Sequence, residues 1–539
     1  MNILFVSIRT RGRDLVEEPG IASIAAYIKS KNDSINCKVV QLYANDKELY
    51  EAIINLKEFN PKIIAFPLYD DYFDIQIGIV EKFKSIFNDS CIFIGGYSST
   101  YHGHEIMKRY PFIDVCMVGE GEISMLELVN TIQQNNYDYS SINGIIYREG
   151  DALITTDRCL LINDLNMLPF TNRDILEKSN YNLAQISTSR GCIGICTFCC
   201  SSNFWRDAKN HRKYRLMTVG RIVDEIEYVV NKYNKTRFVF NDNSYEDPDN
   251  NTQRQLDIAN EIIKRNIKIS YNVNYKTGFY RYATKDFMDR MIESGLSSIF
   301  LGIEAFNDED LNVYKKRTTL ADNENALNYF GSFEGLGVSI GFININPYST
   351  IERLQQNIQY LYKFGYANDL SNFISKLRVY KGTDLYSRTQ NDGLLYGNLF
   401  DRGYRYDYVD RRILELDDFI FSIDPKLVHD SGFYSDRFKN IIKYLKRWCF
   451  DANDLKAYEL ISATEAEYEK ILNKLNDTNY LFFSNILDLA QQQWDIVEAN
   501  ITMDKFMPDI RESVSALHKK RNSLFANLIH MNKTYKDLF

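Results

Sequence analysis

Short apolar runs alternate with amphipathic stretches through most of the chain. In the first part, NILFVSI (2–8), CKVVQLY (37–43), KIIAFPLY (62–69), CIFIGGY (91–97) and IDVCMVG (113–119) are nearly continuous apolar runs. Runs of this kind read as strands buried on both faces. Between them, GIASIAAYIKSK (20–31), DKELYEAIINLKEF (46–59) and DIQIGIVEKFKSIF (74–87) carry apolar residues at helical spacing. The alternation predicts an α/β, Rossmann-like doubly wound domain over residues 1–140. RTRGRD follows the first strand where a G-x-G-x-x-G would stand, so a nicotinamide or flavin fingerprint is absent. Residues 141–183 read as a linker.

A second alternation begins at 184. Strand-like AQISTSR (184–190), RFVFND (237–242), KISYNVN (268–274), SIFLGIE (298–304), VSIGFIN (338–344) and NFISKLRVY (372–380) are separated by helical stretches such as TVGRIVDEIEYVVNKY (218–233) and ERLQQNIQYLYKFG (352–365). Six strands joined by helices predict a parallel (β/α)6-type partial barrel over 184–395, with chemistry at the carboxyl ends of its strands. From 396 to 539 the pattern becomes helical only, in FKNIIKYLKRWCF, EAEYEKILNKLN, FFSNILDLAQQQW and SVSALHKKRNSLFANLI. A helical C-terminal domain packed on the barrel is expected there.

Composition narrows the partners. The 539 residues carry a net charge of −8, which argues against a general nucleic-acid surface. No apolar run approaches a membrane span, and MNILFVSIRTRGRD lacks the order of a signal peptide. A cytoplasmic protein with reduced thiols is expected.

Four of the nine cysteines fall within nine positions, in SRGCIGICTFCCSSNF (189–204). Cys192-x3-Cys196-x2-Cys199 places three thiols on one short loop, and Gly191 and Gly194 give the backbone the freedom to wrap a ligand. Structural zinc wants four ligands, commonly as two separated pairs, and no second pair is present, although His211 could close a site. A 4Fe–4S cluster held by three thiolates, with one iron open, fits the spacing better. Cys200, adjacent to Cys199, reads as a small packed residue. The basic segment RDAKNHRKYR (206–215) reads as a solvated loop, or as a contact to an anion.

TSRGCIGICTFCCSSNFW resembles the signature of the radical S-adenosylmethionine superfamily. The resemblance implies that Cys192, Cys196 and Cys199 hold a 4Fe–4S cluster whose open iron chelates S-adenosylmethionine. It also implies that Phe198 lies beside the adenine. Asn241 and Asp242, ending the second barrel strand, match the region that binds the cofactor's amino group. Glu304, in GIEAF, matches the region facing its amino-acid or ribose part. Helix capping is the competing reading, above all for Asp242. KGTDLY (381–386) resembles the family's PGTxLY, and INPYST (345–350) departs from its GxPxET-like turn.

GGYSST (95–100) and VGEGE (118–122) resemble the cobalamin-binding domain fused to many enzymes of that superfamily, the class B methylase-like ones among them. On that resemblance Gly95, Gly96, Ser98, Ser99 and Glu120 contact cobalamin. The D-x-H-x-x-G motif that supplies a cobalt ligand is missing, and His102 and His104 read as a surface helix start. The resemblance implies methylation of an unactivated carbon on a natural-product or peptide substrate, with an electron donor such as flavodoxin or ferredoxin. Cyclisation or rearrangement without methyl transfer is the first alternative. A non-catalytic iron–sulfur or zinc scaffold is the second.

Overall fold

A computed structural model describes residues 1–10, 17–179, 181–206, 208–210, 214–248, 251–532 and 535. RTRGRD, the basic segment and His211 lie wholly or partly outside them. The chain divides into two compact units: Met1–Asn243 with Val379–Ser387 and Tyr396–Arg405, and Ser244–Arg378 with Arg388–Leu395 and Tyr406–Phe539.

In the first unit, period-two alternation sorts each strand between two cores. Strand β1 (Asn2–Arg9) sends Leu4, Val6 and Ile8 into one core and Ile3 and Phe5 into the other. With β2 (Asn36–Tyr43), β3 (Ile63–Pro67), β4 (Cys91–Gly95) and β5 (Val115–Met117) it forms a parallel sheet in the order β2-β1-β3-β4-β5. Helices α1 (Pro19–Lys31) and α5 (Glu122–Gln133) cover one face; α2 (Leu49–Asn55), α3 (Phe73–Ile86) and α4 (Gly96–Arg109) cover the other. The strand order reverses between β1 and β3, and open sheets of this kind bind ligands at that point, outside the strands' carboxyl ends.

Two features differ from the sequence reading. The stretch read as linker carries a hairpin, β6 (Ile145–Glu149) and β7 (Ala152–Thr155), which extends the sheet antiparallel. GGYSST is not a loop: Gly96 opens α4 directly from the end of β4. Gly96 needs its missing side chain, because at φ +90° a Cβ would lie 3.1 Å from the Leu68 carbonyl.

The first unit continues through α6 (Asp174–Lys178), β8 (Ala184–Ile186), β9 (Ser189–Gly191), α7 (Ser201–Arg206), β10 (Tyr214–Leu216), α8 (Val219–Tyr233) and β11 (Arg237–Phe240). β8 and β11 pair in parallel, and β9 and β10 antiparallel.

The second unit is built on the parallel strands β12 (Ser270–Lys276), β13 (Leu296–Glu304) and β14 (Gly337–Phe342). Its helices include α9 (Gln253–Lys264), α10 (Lys285–Glu293), α11 (Asp308–Val313), α12 (Leu320–Gly331) and α13 (Ile351–Lys363). The sixth expected strand, 372–380, does not form. Asp369 caps a helical turn, Leu370–Ile374, by accepting the Ser371 N–H at 2.8 Å, and only a bridge between Ile345 and Lys376 remains. The C-terminal region is helical as expected, but two of its predicted helices merge into one, Leu455–Gln492, packed against Ile496–Met531.

Asp369 also faces a cavity of about 300 Å³ that it shares with Asp436 and Lys443. Burial, followed by the neighbouring Asp436, pushes its carboxyl up to about 6, against 3.8 ordinarily. The folded state therefore holds this proton more tightly than the unfolded chain does. Stability is full below pH 3.8 and is lost as the pH rises through 6. Asp369→Asn keeps the cap and removes the charge. It should raise the unfolding free energy by about 1–2 kcal/mol at pH 7, the cavity's polar lining screening part of the effect, and leave it unchanged near pH 3.5. Urea unfolding at the two pH values checks this.

Candidate active site

The cysteine loop leaves a strand end that one carboxylate holds in place. Asp242 follows β11 and is buried. It accepts the Thr188 N–H at 3.1 Å, the Thr188 hydroxyl at 3.1 Å and the Ser189 hydroxyl at 2.5 Å. These bonds tie it to the β8–β9 connection. Asn241 beside it is half-buried and accepts the Ser187 hydroxyl at 2.8 Å.

Gly191, at φ +102°, turns the chain out of β9 into the loop. Cys192, Cys196, Cys199 and Cys200 are all half-buried, as is Phe198. The Gly194 N–H donates to the Cys192 sulfur at 3.3 Å, and the Cys199 N–H donates to the Cys196 carbonyl at 3.2 Å. The Leu385 N–H braces the loop by donating to the Thr197 carbonyl at 2.9 Å. The Cys200 carbonyl accepts the Asn203 and Phe204 N–H groups of α7 at 3.2 and 3.1 Å and the Tyr101 hydroxyl at 3.0 Å, so this cysteine ends the loop where the helix begins.

Among the described residues, no three His, Cys, Asp or Glu side chains converge on a single metal ion. A 4Fe–4S cluster takes its cysteine ligands on separate irons. Three thiols spread around one short loop, with the Gly194 N–H aimed at the Cys192 sulfur, suit such a cluster.

A cavity of about 380 Å³ opens beside this loop's root. Gly95, Gly96 and Tyr97 line it from β4 and α4, Ser187, Ser189 and Arg190 from the segment that leads to the cysteines, and Asn241 from the end of β11. Ser98 and Ser99 do not line it. Both are fully buried in α4: the Ser98 hydroxyl donates to Asp70, and that of Ser99 to the Gly95 carbonyl at 2.9 Å. His102 is also buried rather than at the surface, between Asp70 and Glu105 and stacked on Tyr404, whereas His104 is exposed.

Glu120 lines the cavity but is spent on scaffold. Its carboxylate accepts the Trp205 indole N–H at 2.7 Å and two N–H groups of Arg215 at 2.5 and 3.0 Å, and it pairs with Arg190 at 3.3 Å. Burial opposes its ionisation, but Arg190 and Arg215 outweigh that and hold it below the usual carboxylate range. Arg190 also bonds Glu122 at 2.6 Å. Sequence reasoning missed this cluster, although Arg190 stands two residues before Cys192.

In the second unit, Glu304 ends β13 in the left-handed region, φ +66°. Lys315 and Arg317 nearby also have positive φ, a conformation that costs non-glycine residues about 1–3 kcal/mol each and gathers at functional sites. Lys316 between them, its side chain 6% exposed, reaches Glu304 at 3.1 Å. The signal that could have found it is the KKR run twelve residues on.

Residues 186–361 match the radical SAM superfamily, and the chain carries a radical SAM domain. Such a domain goes with a 4Fe–4S cluster and S-adenosylmethionine. The chain is 26% identical over 296 residues to the anaerobic magnesium-protoporphyrin IX monomethyl ester cyclase of Cereibacter sphaeroides, a match covering 53% of this chain and 46% of that one. It is 24% identical to an uncharacterized methyltransferase of Pyrococcus horikoshii, over 64% of this chain and 72% of that one. The fold resembles the cobalamin-dependent S-adenosylmethionine radical enzyme OxsB, solved with aqua-cobalamin and S-adenosylmethionine bound. The TM-score is 0.66 at 16% identity, covering 99% of this chain and 81% of that one. The chain spans about half the length of the cyclase. Among the described residues, no helix is long and apolar enough to cross a membrane.

Arg215 is fully buried, and Glu120 is its carboxylate partner. Glu120→Ala strands that charge and should cost about 3–5 kcal/mol. Chemical unfolding should show the loss whether or not ligands are added; undiminished stability would return Glu120 to the ligand-contact role.

Proposed function

We propose that this protein is a radical S-adenosylmethionine enzyme that also uses a corrinoid, and that it methylates an unactivated carbon of a small-molecule or peptide substrate. One observation carries the reading: the first unit's cavity is walled by the strand-end segment Ser187–Arg190, which runs directly into the cysteine loop. A ligand in that cavity lies within the same unit as the cysteines. The likeness to OxsB and to a methyltransferase-named relative supports the choice of ligand and reaction.

In this reading Cys192, Cys196 and Cys199 hold the cluster and Cys200 does not. When bound, the cluster supplies the electron that splits S-adenosylmethionine to a 5′-deoxyadenosyl radical, and a corrinoid supplies a carrier for the methyl group. The protein's own work is placement. Asp242 fixes where the loop begins. Phe198 offers a flat apolar face to the adenine. Asn241 keeps an amide group at the cavity wall. Glu304 and Lys316 form an acid–base pair matched to the ammonium and carboxylate of an amino acid. An external one-electron donor, a flavodoxin or ferredoxin by class, is needed to reduce the cluster.

A second reading, cyclisation or rearrangement without methyl transfer, is favoured by the relative named as a cyclase.

Anaerobic iron and sulfide counts test the ligand set. Single alanine variants at Cys192, Cys196 and Cys199 should each lose the cluster, and Cys200→Ala should keep it. A full count in any of the first three rejects the assignment.

The reaction is tested with methyl-labelled S-adenosylmethionine and candidate substrates. Equal amounts of 5′-deoxyadenosine and S-adenosylhomocysteine, with label in the product, are expected. Deoxyadenosine alone, with a product of unchanged carbon count, would establish the second reading instead. Glu304→Ala leaves the buried Lys316 ammonium without its carboxylate, so it should lower stability by about 1–3 kcal/mol in chemical unfolding.

A further inference from the structure

The second unit holds a cavity of about 300 Å³ away from the carboxyl strand end where Glu304 stands. Leu336 and Val338, at the start of β14, line it, as do Gly331 at the end of α12 and Phe364 just beyond α13. It therefore lies at the amino end of the strand, the end that parallel barrels leave to stability rather than chemistry. Its volume suits about ten waters, or one small molecule in their place.

One wall is a helix face. The π-helical stretch Phe433–Phe438 runs into the helix Lys439–Asp451, and Asp436, Asn440 and Lys443 follow at steps of four and three, on one side. Turns of the π kind are rare and often stand at functional sites. Gly337 admits this face, because a Cβ there would collide with the Asn440 amide oxygen.

The charges along this wall do not answer one another. Asp369 accepts the Ser371 N–H at 2.8 Å, and Asp436 accepts the Ser339 hydroxyl at 2.7 Å. Among the described residues, neither carboxylate has a lysine or arginine within ion-pair distance. Lys443 donates to the Leu336 carbonyl at 2.9 Å and has no carboxylate partner, while Lys439 is turned to Glu469 at 3.1 Å. Burial, then Lys439, holds the Lys443 ammonium below its usual range, as burial and Asp436 push Asp369 up. Each charge is thus strained by its own surroundings, and each has bonding capacity left for a guest.

We propose that this cavity binds a small zwitterion with its charges at opposite ends of an apolar stem, the ammonium on Asp369 and Asp436 and the anionic group on Lys443. Seven helical residues separate Asp436 from Lys443, a rise of about 10 Å. An α-amino acid, whose two charges share one carbon, is too short to answer both. Val338, Ile340 and Phe364 line the same cavity and give a hydrocarbon stem apolar surface to bury against. A resident metal ion fits less well: among the described residues, no three His, Cys, Asp or Glu side chains converge here.

The test is calorimetry on the full chain with four probes: 6-aminohexanoate, leucine, hexylamine and hexanoate. 6-Aminohexanoate should bind about tenfold or more tightly than the other three, since each of those leaves a buried charge unanswered. Asp436→Asn should weaken 6-aminohexanoate about tenfold or more. Lys443→Met should bring it down to the affinity of hexylamine and leave hexylamine binding no weaker than before. Hexylamine binding as tightly as 6-aminohexanoate makes this a site for a simple cation and overturns the proposal. Leucine binding equally tightly overturns the separation of charges, and no heat from any probe leaves a cavity for water alone. The wild-type comparison of probes decides the matter even where a variant fails to fold.

Discussion

The first unit depends on one buried cluster of charge. Arg190 lies in β9, two residues before the first loop cysteine, and bonds Glu120 and Glu122, which stand between β5 and the start of α5. Arg215, on the neighbouring β10, closes the same carboxylate from the other side. Taking four charges out of water is expensive, and pairing in a low-dielectric site returns that cost only when geometry is good. The return here is registration. The strand carrying the cysteines is tied to the sheet carrying the glycine turn, so the cavity between them keeps its width. Apolar packing could supply equal stability but not directional bonds at a fixed place.

Asp242 applies the same logic at shorter range. A carboxylate that accepts three hydrogen bonds from two consecutive residues leaves β8 little freedom in how it exits. The cysteine loop that follows inherits that definition, because an error at its root would be shared by all of its thiols. Glu304 in the second unit shows the complementary device: its left-handed backbone is held by surrounding structure, with Lys316 gripping the side chain. Strain of this kind persists where neighbours over-determine it.

Much of the fold is written in hydrophobic period. The five parallel strands of the first sheet, the helices α1 and α3, and β12 to β14 follow from apolar runs and helical spacing. The misses have local causes. Strand 372–380 is apolar enough, but Asp369 starts a helical turn inside it. GGYSST reads as a loop by composition, yet a glycine at a strand end opens a helix as readily as a turn. The hairpin at 145–155 escapes the pattern because its strands are only five and four residues long. The helical pattern at 465–490 was read as two elements because residues between the apolar stretches are polar, although nothing there breaks a helix.

The site was legible as residue types but not as commitments. Ser98, Ser99, Glu120, Asp242 and Glu304 all have chemistry suited to a cofactor, and their positions at strand ends are the right ones. What a sequence cannot display is how many of an acceptor's valences are already spent. Ser99 turns back to its own helix, Ser98 to Asp70, Glu120 to two arginines and a tryptophan, and Asp242 to the strand it steadies. The cavity is lined by Gly95 and Gly96, by Asn241 and Asn243 and by apolar side chains, beside charged groups such as Arg190 and Glu120 that are already paired. The paired charges around this cavity thus act first as scaffold: they hold the space and the backbone that line it in place.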